Sequence, residues 1–193
     1  MDASDDVEAA MHSVPRAGFL PAGQRRLAGE DRPLPIGEGQ TSSQPRTVAA
    51  MLRLLDVHPG QRVLDVGAGS GWTTALLAWL VGPTGSVIGV ELAPALAEWG
   101  AENLAATGQS WAVLRGADPD RLGAPDDAPF DRILVSAEAR TMPQSLVDQI
   151  APGGLMVVPV AGVMHRVERD AAGGAEGGVT TSTHGSYRFV PLR

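Results

Sequence analysis

Val63-Leu64-Asp65-Val66-Gly67-Ala68-Gly69-Ser70-Gly71 is the stretch on which the fold turns. A short apolar run, broken only by Asp65, reads as a buried strand. The alternating glycines form a tight turn, and Trp72–Val81 is apolar enough to be a helix packed on a sheet. A strand that feeds a glycine turn and then a helix sets a ligand at the carboxyl edge of a parallel sheet. The pattern repeats downstream. Strands are predicted at Arg62–Val66, Ser86–Glu91, Trp111–Arg115, Asp131–Ser136 and Leu155–Val160. Helices are predicted at Trp72–Val81, Pro94–Thr107 and Pro143–Ile150, with turns at Gly82–Gly85 and Pro152-Gly153-Gly154. This alternation specifies a doubly wound, mostly parallel α/β sheet. The end of the chain differs: Val163–Arg169 and Tyr187–Leu192 read as an antiparallel hairpin, with the Gly/Ala-rich Ala171–Gly178 as its flexible tip.

Upstream of the glycine turn the texture is looser. The first ten residues are small and acidic and read as frayed. Ala9–Leu20 reads as a short helix broken at Pro15, and Gln24–Gly29 as a helical turn or two. Glu30–Pro45 holds three prolines and two glycines and reads as a loop. Thr47–Leu55 places Val48, Met51, Leu52 and Leu55 at helical spacing before Pro59-Gly60. The expected organisation is one domain over residues 1–193: a helical and loop segment over 1–60, a ligand-binding core over 61–160 and a terminal hairpin over 161–193.

Composition removes whole classes of chemistry. The chain has 193 residues, 44% of them hydrophobic and 19% charged, with a net charge of −7. It contains no Cys, so it has no disulfide, thiolate metal site or cysteine nucleophile. All 15 basic residues are Arg, which excludes a lysine Schiff base and a P-loop ending in Lys. An acidic chain with scattered Arg is not a general phosphate-backbone binder, so no nucleic-acid partner is expected. The longest apolar stretches fall short of the roughly 20 residues of a membrane span. The acidic start does not resemble a secretory signal. A cytoplasmic monomer is the expected setting. His12, His58, His165 and His184 are scattered without ligand spacing, so no metal site is expected.

Which ligand the glycine turn holds follows from its spacing. A dinucleotide fingerprint needs glycine where this chain has Trp72. The tighter Gly67-x-Gly69-x-Gly71, with Asp65 two residues ahead, suits S-adenosyl-L-methionine. Glu91 ends the second strand, where a carboxylate can accept hydrogen bonds from ribose hydroxyls. NAD enzymes share such an acid, so a nucleotide or NAD module stays open on these residues alone.

A resemblance narrows the reading. Glu30-Asp31-Arg32-Pro33-Leu34-Pro35-Ile36-Gly37 and Gly39-Gln40-Thr41-Ser42-Ser43-Gln44-Pro45 resemble the segment that precedes the cofactor motif in protein-L-isoaspartate O-methyltransferases. Val14-Pro15-Arg16, Pro129-Phe130-Asp131-Arg132-Ile133, Pro152-Gly153-Gly154 and Arg188-Phe189-Val190-Pro191-Leu192 follow the same family in order. The likeness runs from about Met11 to the carboxyl terminus and is weakest over Val163–Tyr187.

The resemblance implies a Rossmann-like methyltransferase that methylates the carboxylate of isoaspartyl (or D-aspartyl) residues in damaged proteins and peptides, so that the chain recyclises to a succinimide. It implies catalytic-side roles for Ser43, Thr41 and Gln40. It also implies S-adenosyl-L-methionine contacts from Asp65, Gly67, Ala68, Gly69, Ser70, Glu91, Leu92 and Asp118. Ile36 and Arg46 are expected on the substrate side. Taken without the resemblance, Ser43 reads as an N-cap for the helix Pro45–Leu55 or a turn residue, and Arg46 equally as a helix-surface residue. The chain departs from the family at Arg46, Gly29, Gly116-Ala117-Asp118-Pro119-Asp120 and Gly162–Arg166. These departures leave open a relative that methylates a different carboxylate.

Overall fold

The computed structural model describes residues 3–171 and 178–192. Its centre is a seven-stranded sheet in the order β5-β4-β3-β6-β7-β8-β9. The elements are β3 (Arg62–Val66), β4 (Ser86–Glu91), β5 (Ala112–Gly116), β6 (Phe130–Val135), β7 (Ile150–Val160), β8 (Val163–Arg169) and β9 (Val179–Ser186). The first five are mutually parallel, and β8 and β9 add antiparallel partners at one edge. Two hydrophobic layers follow from strand alternation. Val63 and Leu134 face the side carrying α2 (Pro45–Leu55), α3 (Trp72–Val81) and α4 (Pro94–Ala105), while Leu64, Val66 and Ile133 face the other. That other side is closed by Leu146, Val147 and Ala124, from a short helix α5 (Gln144–Val147) and the loop before β6.

Several sequence expectations change. The amino terminus is helical: α1 (Ala3–Ser13) buries Val7 and Ala10, and Val14 follows one turn on. This apolar stripe packs α1 on α2 and α3, which outweighs its acidic composition. Pro15 ends it, and a 3-10 turn, Arg16–Phe19, replaces the second half of the expected helix. Ala22–Leu27 is also 3-10.

The expected loop over Glu30–Pro45 contains a hairpin, β1 (Leu34–Gly37) paired with β2 (Gln40–Ser42). Glu38 and Gly39 form its two-residue turn with φ of 51° and 69°. Two consecutive positive φ values are what a type I′ turn requires, so the glycine read as a breaker builds the hairpin. Pro35 is tolerated because a two-stranded ribbon is all edge.

The helix expected over Pro143–Ile150 is the single turn of α5, and β7 starts at Ile150. The partner of β8 is β9, not Tyr187–Leu192. Nearly every β9 residue is exposed, so the strand carries no burial alternation to detect. Tyr187–Leu192 instead returns along the sheet edge: Glu138 N–H donates to Val190 O at 2.8 Å, and Leu192 N–H to Glu138 O at 2.8 Å. Most of the expected flexible tip, residues 172–177, lies outside the described residues. No helix of the described residues is long and apolar enough to cross a membrane.

Close backbone packing joins α4 to the glycine turn. A Cβ on Gly100 would stand 2.7 Å from Gly69 O, and one on Gly71 would stand 2.8 Å from Gly100 O. Glycine inside a helix costs about 1 kcal/mol relative to Ala, a cost accepted here for backbone approach. Gly100→Ala is therefore expected to lower stability by about 2 kcal/mol despite its better helix propensity. Urea unfolding of the two proteins measures this, and a stabilised variant would show that the contact is slack.

Candidate active site

The chain leaves β3 for β4 on one side and later returns to β6 on the other. In an open parallel sheet the carboxyl ends of such strands diverge into a crevice. A cleft of about 720 Å³ opens there. Gly67, Gly69, Ser136 and Ala137 line it from the ends of β3 and β6. Glu91 and Leu92 line it from the end of β4, and residues 117–123 from beyond β5. The β1–β2 hairpin supplies Ile36, Gln40 and Thr41, while Arg140, Thr141 and residues 190–192 line the cleft past β6.

Glu91 is a buried, doubly hydrogen-bonded carboxylate of this cleft. Only 8% of it is exposed, yet it is ionisable and among the described residues it is paired with no cation. Its Oε2 accepts from Gly69 N–H at 2.8 Å and its Oε1 from Ala93 N–H at 2.9 Å. Each carboxylate oxygen keeps a further lone pair for a ligand hydroxyl. Ile36, also buried, reaches over the glycine turn: a Cβ on Gly69 would lie 3.1 Å from its Cδ1. Leu92 is exposed at the cleft and gives it an apolar surface.

Asp65 occupies a different place from the one expected. It lines neither the cleft nor the small pocket beside it, and is fully buried beneath the turn, on the α3 face of β3. Its Oδ2 accepts from the Thr73 and Thr74 hydroxyls, both at 2.7 Å, which anchors the first turn of α3. Its Oδ1 has no hydrogen-bond partner among the described residues. Burial pushes the carboxyl up to about 6; the nearby Glu91 charge adds to this, while the Thr73, Thr74 and Ser136 hydroxyls oppose it.

The remaining expected residues divide between two spaces. Asp118 lines the main cleft, with its Oδ1 accepting from Asp120 N–H at 2.9 Å. Ser43, Ala68 and Ser70 line a smaller pocket of about 40 Å³ that shares Ile36, Thr41, Gly67, Gly69 and Ser136 with the cleft. Ser43 is not a helix cap: Gln44 holds the N-cap position of α2, and Asp31 Oδ1 accepts from Arg46 N–H at 2.9 Å in place of a side-chain cap. Arg46 does not line the cleft. Its side chain is 85% exposed and lies 3.4 Å from Asp31. Ionic pairing with a loop carboxylate, invisible before the chain folds back, turns it outward.

Sequence reasoning missed Ser136, Ala137 and Arg140, whose signal was their place just past β6, beside the glycine turn. Arg140 makes no ion pair among the described residues, whereas Arg121 is held by both oxygens of Asp126 at 2.7 Å. Among the described residues no group of three or more His, Cys, Asp or Glu could hold a metal ion.

These residues fit S-adenosyl-L-methionine. A glycine floor leaves room for close ligand approach, a buried carboxylate ends β4 where ribose hydroxyls need acceptors, and exposed Leu92 offers a surface for a flat base.

Comparison with known proteins agrees. Residues 1–193 match the family model for protein-L-isoaspartate(D-aspartate) O-methyltransferase (PCMT). A protein-L-isoaspartate O-methyltransferase of Methanopyrus kandleri is 47% identical over 98% of this chain and 84% of its own length. One from Aeropyrum pernix is 53% identical over 78% of this chain, but only 58% of its own length is covered. A solved Plasmodium falciparum beta-aspartate methyltransferase (PCMT), in complex with S-adenosyl-L-homocysteine, superposes with a TM-score of 0.80 at 26% identity, covering 98% of this chain and 90% of that one. With the sheet order, the glycine turn and a family match along its whole length, the chain belongs to the protein-L-isoaspartate(D-aspartate) O-methyltransferase family.

Proposed function

We propose that this chain transfers the methyl group of S-adenosyl-L-methionine to the free carboxylate of L-isoaspartyl (or D-aspartyl) residues in damaged proteins and peptides. The observation that carries the reading is the single cleft that joins the glycine turn and Glu91 to Gln40 and Thr41 of the β1–β2 hairpin. When bound, the cofactor supplies an electrophilic methyl on a sulfonium.

The protein's part is positional. The accepting carboxylate has an ordinary pKa near 4 and arrives ionised at neutral pH, so no side chain must remove a proton. What raises the rate is alignment of the carboxylate with the methyl and exclusion of water. Ile36, buried against the glycine turn, closes one side of the reacting region. Thr41 and Ser43 present hydroxyl donors from the hairpin and its exit. Arg140, unpaired at the outer end, is the cation available to a substrate carboxylate. Peptide or protein substrates, a monomeric working unit and a cytoplasmic setting go with this reading.

The test uses matched peptides containing isoaspartate or aspartate with radiolabelled cofactor. A base-labile methyl ester on the isoaspartyl peptide alone is the expected product; its absence overturns the proposal. Ser43→Ala is expected to lower methyl transfer about tenfold, in line with loss of one hydrogen bond to a charged group, while S-adenosyl-L-homocysteine binds as before. Turnover within twofold of the parent would remove Ser43 from the acceptor wall.

A further inference from the structure

Arg16 is a buried cation that the reaction as described does not use. It is 4% exposed, and among the described residues its guanidinium has no carboxylate within ion-pair distance. All five of its N–H donors are nonetheless engaged. Nε donates to Ser42 Oγ at 3.1 Å. One terminal nitrogen donates to Ala28 O and Glu30 O at 3.4 and 3.2 Å. The other donates to Arg32 O at 3.0 Å and Ser42 O at 2.9 Å. The plane lies 5.5 Å from the ring centroid of Trp72, and Trp72 Nε1 donates to Val14 O at 3.0 Å.

We propose that Arg16 is the positioning residue of the methyl-acceptor wall, locking Ser42, and thereby its neighbours Thr41 and Ser43, against the first residue of α3. The proposal rests on the placement of the acceptor beside Ser43.

Three features separate this from a generic staple. First, every acceptor lies in the strap 28–32 or at Ser42, so the bonds hold the base of the hairpin and no strand of the large sheet. Second, Ser43 makes no side-chain hydrogen bond of its own among the described residues and sits between the end of β2 and the N-cap of α2; its place is inherited from Ser42. Third, Trp72 follows Gly71 directly, so one guanidinium ties the acceptor wall to the cofactor turn. Two halves of a cleft joined by one rigid plane keep their separation, which is what an in-line transfer demands.

Taking a charge out of water costs several kcal/mol. Here carbonyl dipoles, the indole face and the field of Asp31 offset that cost. Lysine cannot replace it, since an ammonium has three donors and no plane.

The experiment compares the intact protein with Arg16→Lys and Arg16→Ala. The parent enzyme must first form the base-labile ester on isoaspartyl peptide; if it does not, the proposed activity fails and Arg16 is not at issue. Likewise, an unchanged Ser43→Ala enzyme removes the assumption about Ser43. Given an active parent, Arg16→Lys is expected to lower kcat at least about tenfold, the scale on which small misplacements act. The dissociation constant of S-adenosyl-L-homocysteine should stay within about twofold. Added guanidinium ion should restore part of the kcat of Arg16→Ala, and ammonium should not. An unchanged kcat at a temperature well below both melting points overturns the proposal. So does an equal loss in cofactor affinity, which would place the effect in the glycine turn. If Arg16→Lys does not fold, Ser42→Ala removes a single acceptor; it is expected to lower kcat about threefold, and an unchanged kcat overturns the proposal.

Discussion

Glu91→Gln should weaken binding of S-adenosyl-L-homocysteine about a hundredfold, measured by calorimetry on the otherwise intact protein. The substitution keeps size and shape, so the loss comes from hydrogen bonding alone. In the structure the two carboxylate oxygens accept from Gly69 N–H and Ala93 N–H, one at the glycine turn and one past the end of β4. A glutamine has one carbonyl oxygen, so its amide group must point an N–H at one of these two backbone donors. Either choice leaves a donor facing a donor at a site that is nearly closed to water. If the amide faces Gly69, the turn that floors the cleft moves. If it faces Ala93, the start of α4 moves, and with it the close contact of Gly100 and Gly69. In addition, a ligand ribose would lose half of its charged acceptor, and each hydrogen bond to a charged group contributes about 1.5–3 kcal/mol. Loss of one such bond alone accounts for a factor of ten to a hundred. NAD should bind neither protein with comparable affinity. Retention of the cofactor within threefold would show that Glu91 serves only to hold the turn.

The parts of this molecule that were legible in its sequence are those whose neighbours are nearby or generic. Strands β3, β4, β6 and the second half of β7 are apolar because both faces of a parallel sheet are covered, so they declare themselves without knowledge of their partners. The glycine turn and Glu91 were legible for a similar reason: a strand end and a turn residue fix their own position. Asp65 was not. Strand alternation puts it on the face of Val63, toward α3, and only the hydroxyls of Thr73 and Thr74 reveal what it serves. Arg46 could be read either way in the sequence, toward a substrate or on the helix surface, because its partner, Asp31, lies fifteen residues back on the strap. The hairpin of β1 and β2 was hidden by its own turn chemistry, since Pro35 and Gly39 read as breakers until Glu38 and Gly39 are seen to share a left-handed turn. The wall formed by Ser136, Ala137 and Arg140 depends on strand order, which places β6 beside β3; five parallel strands in sequence do not dictate that order. Val14-Pro15-Arg16 was visible as a motif, but its use depends on carbonyls distributed over residues 28 to 42.

Asp65 gives the second large effect, and it appears as a pH dependence. Its carboxyl is pushed up to about 6 from an ordinary 3.8, mainly by burial, with the Glu91 charge adding and the threonine hydroxyls opposing. Between these two values the folded protein holds a proton that the unfolded chain has already released. Stability from this group is therefore complete below 3.8 and is lost as the pH rises through about 6. A shift of this size corresponds to about 3 kcal/mol. Asp65→Asn removes the titration while its amide oxygen still accepts from Thr73 and Thr74, and its amide nitrogen takes the place of the unpartnered Oδ1. The other carboxylates titrate in both proteins, so their contributions cancel in the difference. Urea unfolding of parent and variant at pH 4 and pH 7 isolates the term: at pH 4 the unfolded carboxyl is already partly ionised, so relative to the variant the parent should be less stable at pH 7 than at pH 4 by about 2 kcal/mol of that total. A difference that does not change with pH would mean that Asp65 is ionised in the folded protein throughout this range. The hydroxyl of Ser136, which lines the cleft and already acts to lower the pKa of the Asp65 carboxyl, would then hold that charge together with Thr73 and Thr74. The pH series therefore decides whether the carboxyl beneath the glycine turn takes up a proton below about 6 or is a fixed negative charge under the methyl-donor site across the whole range.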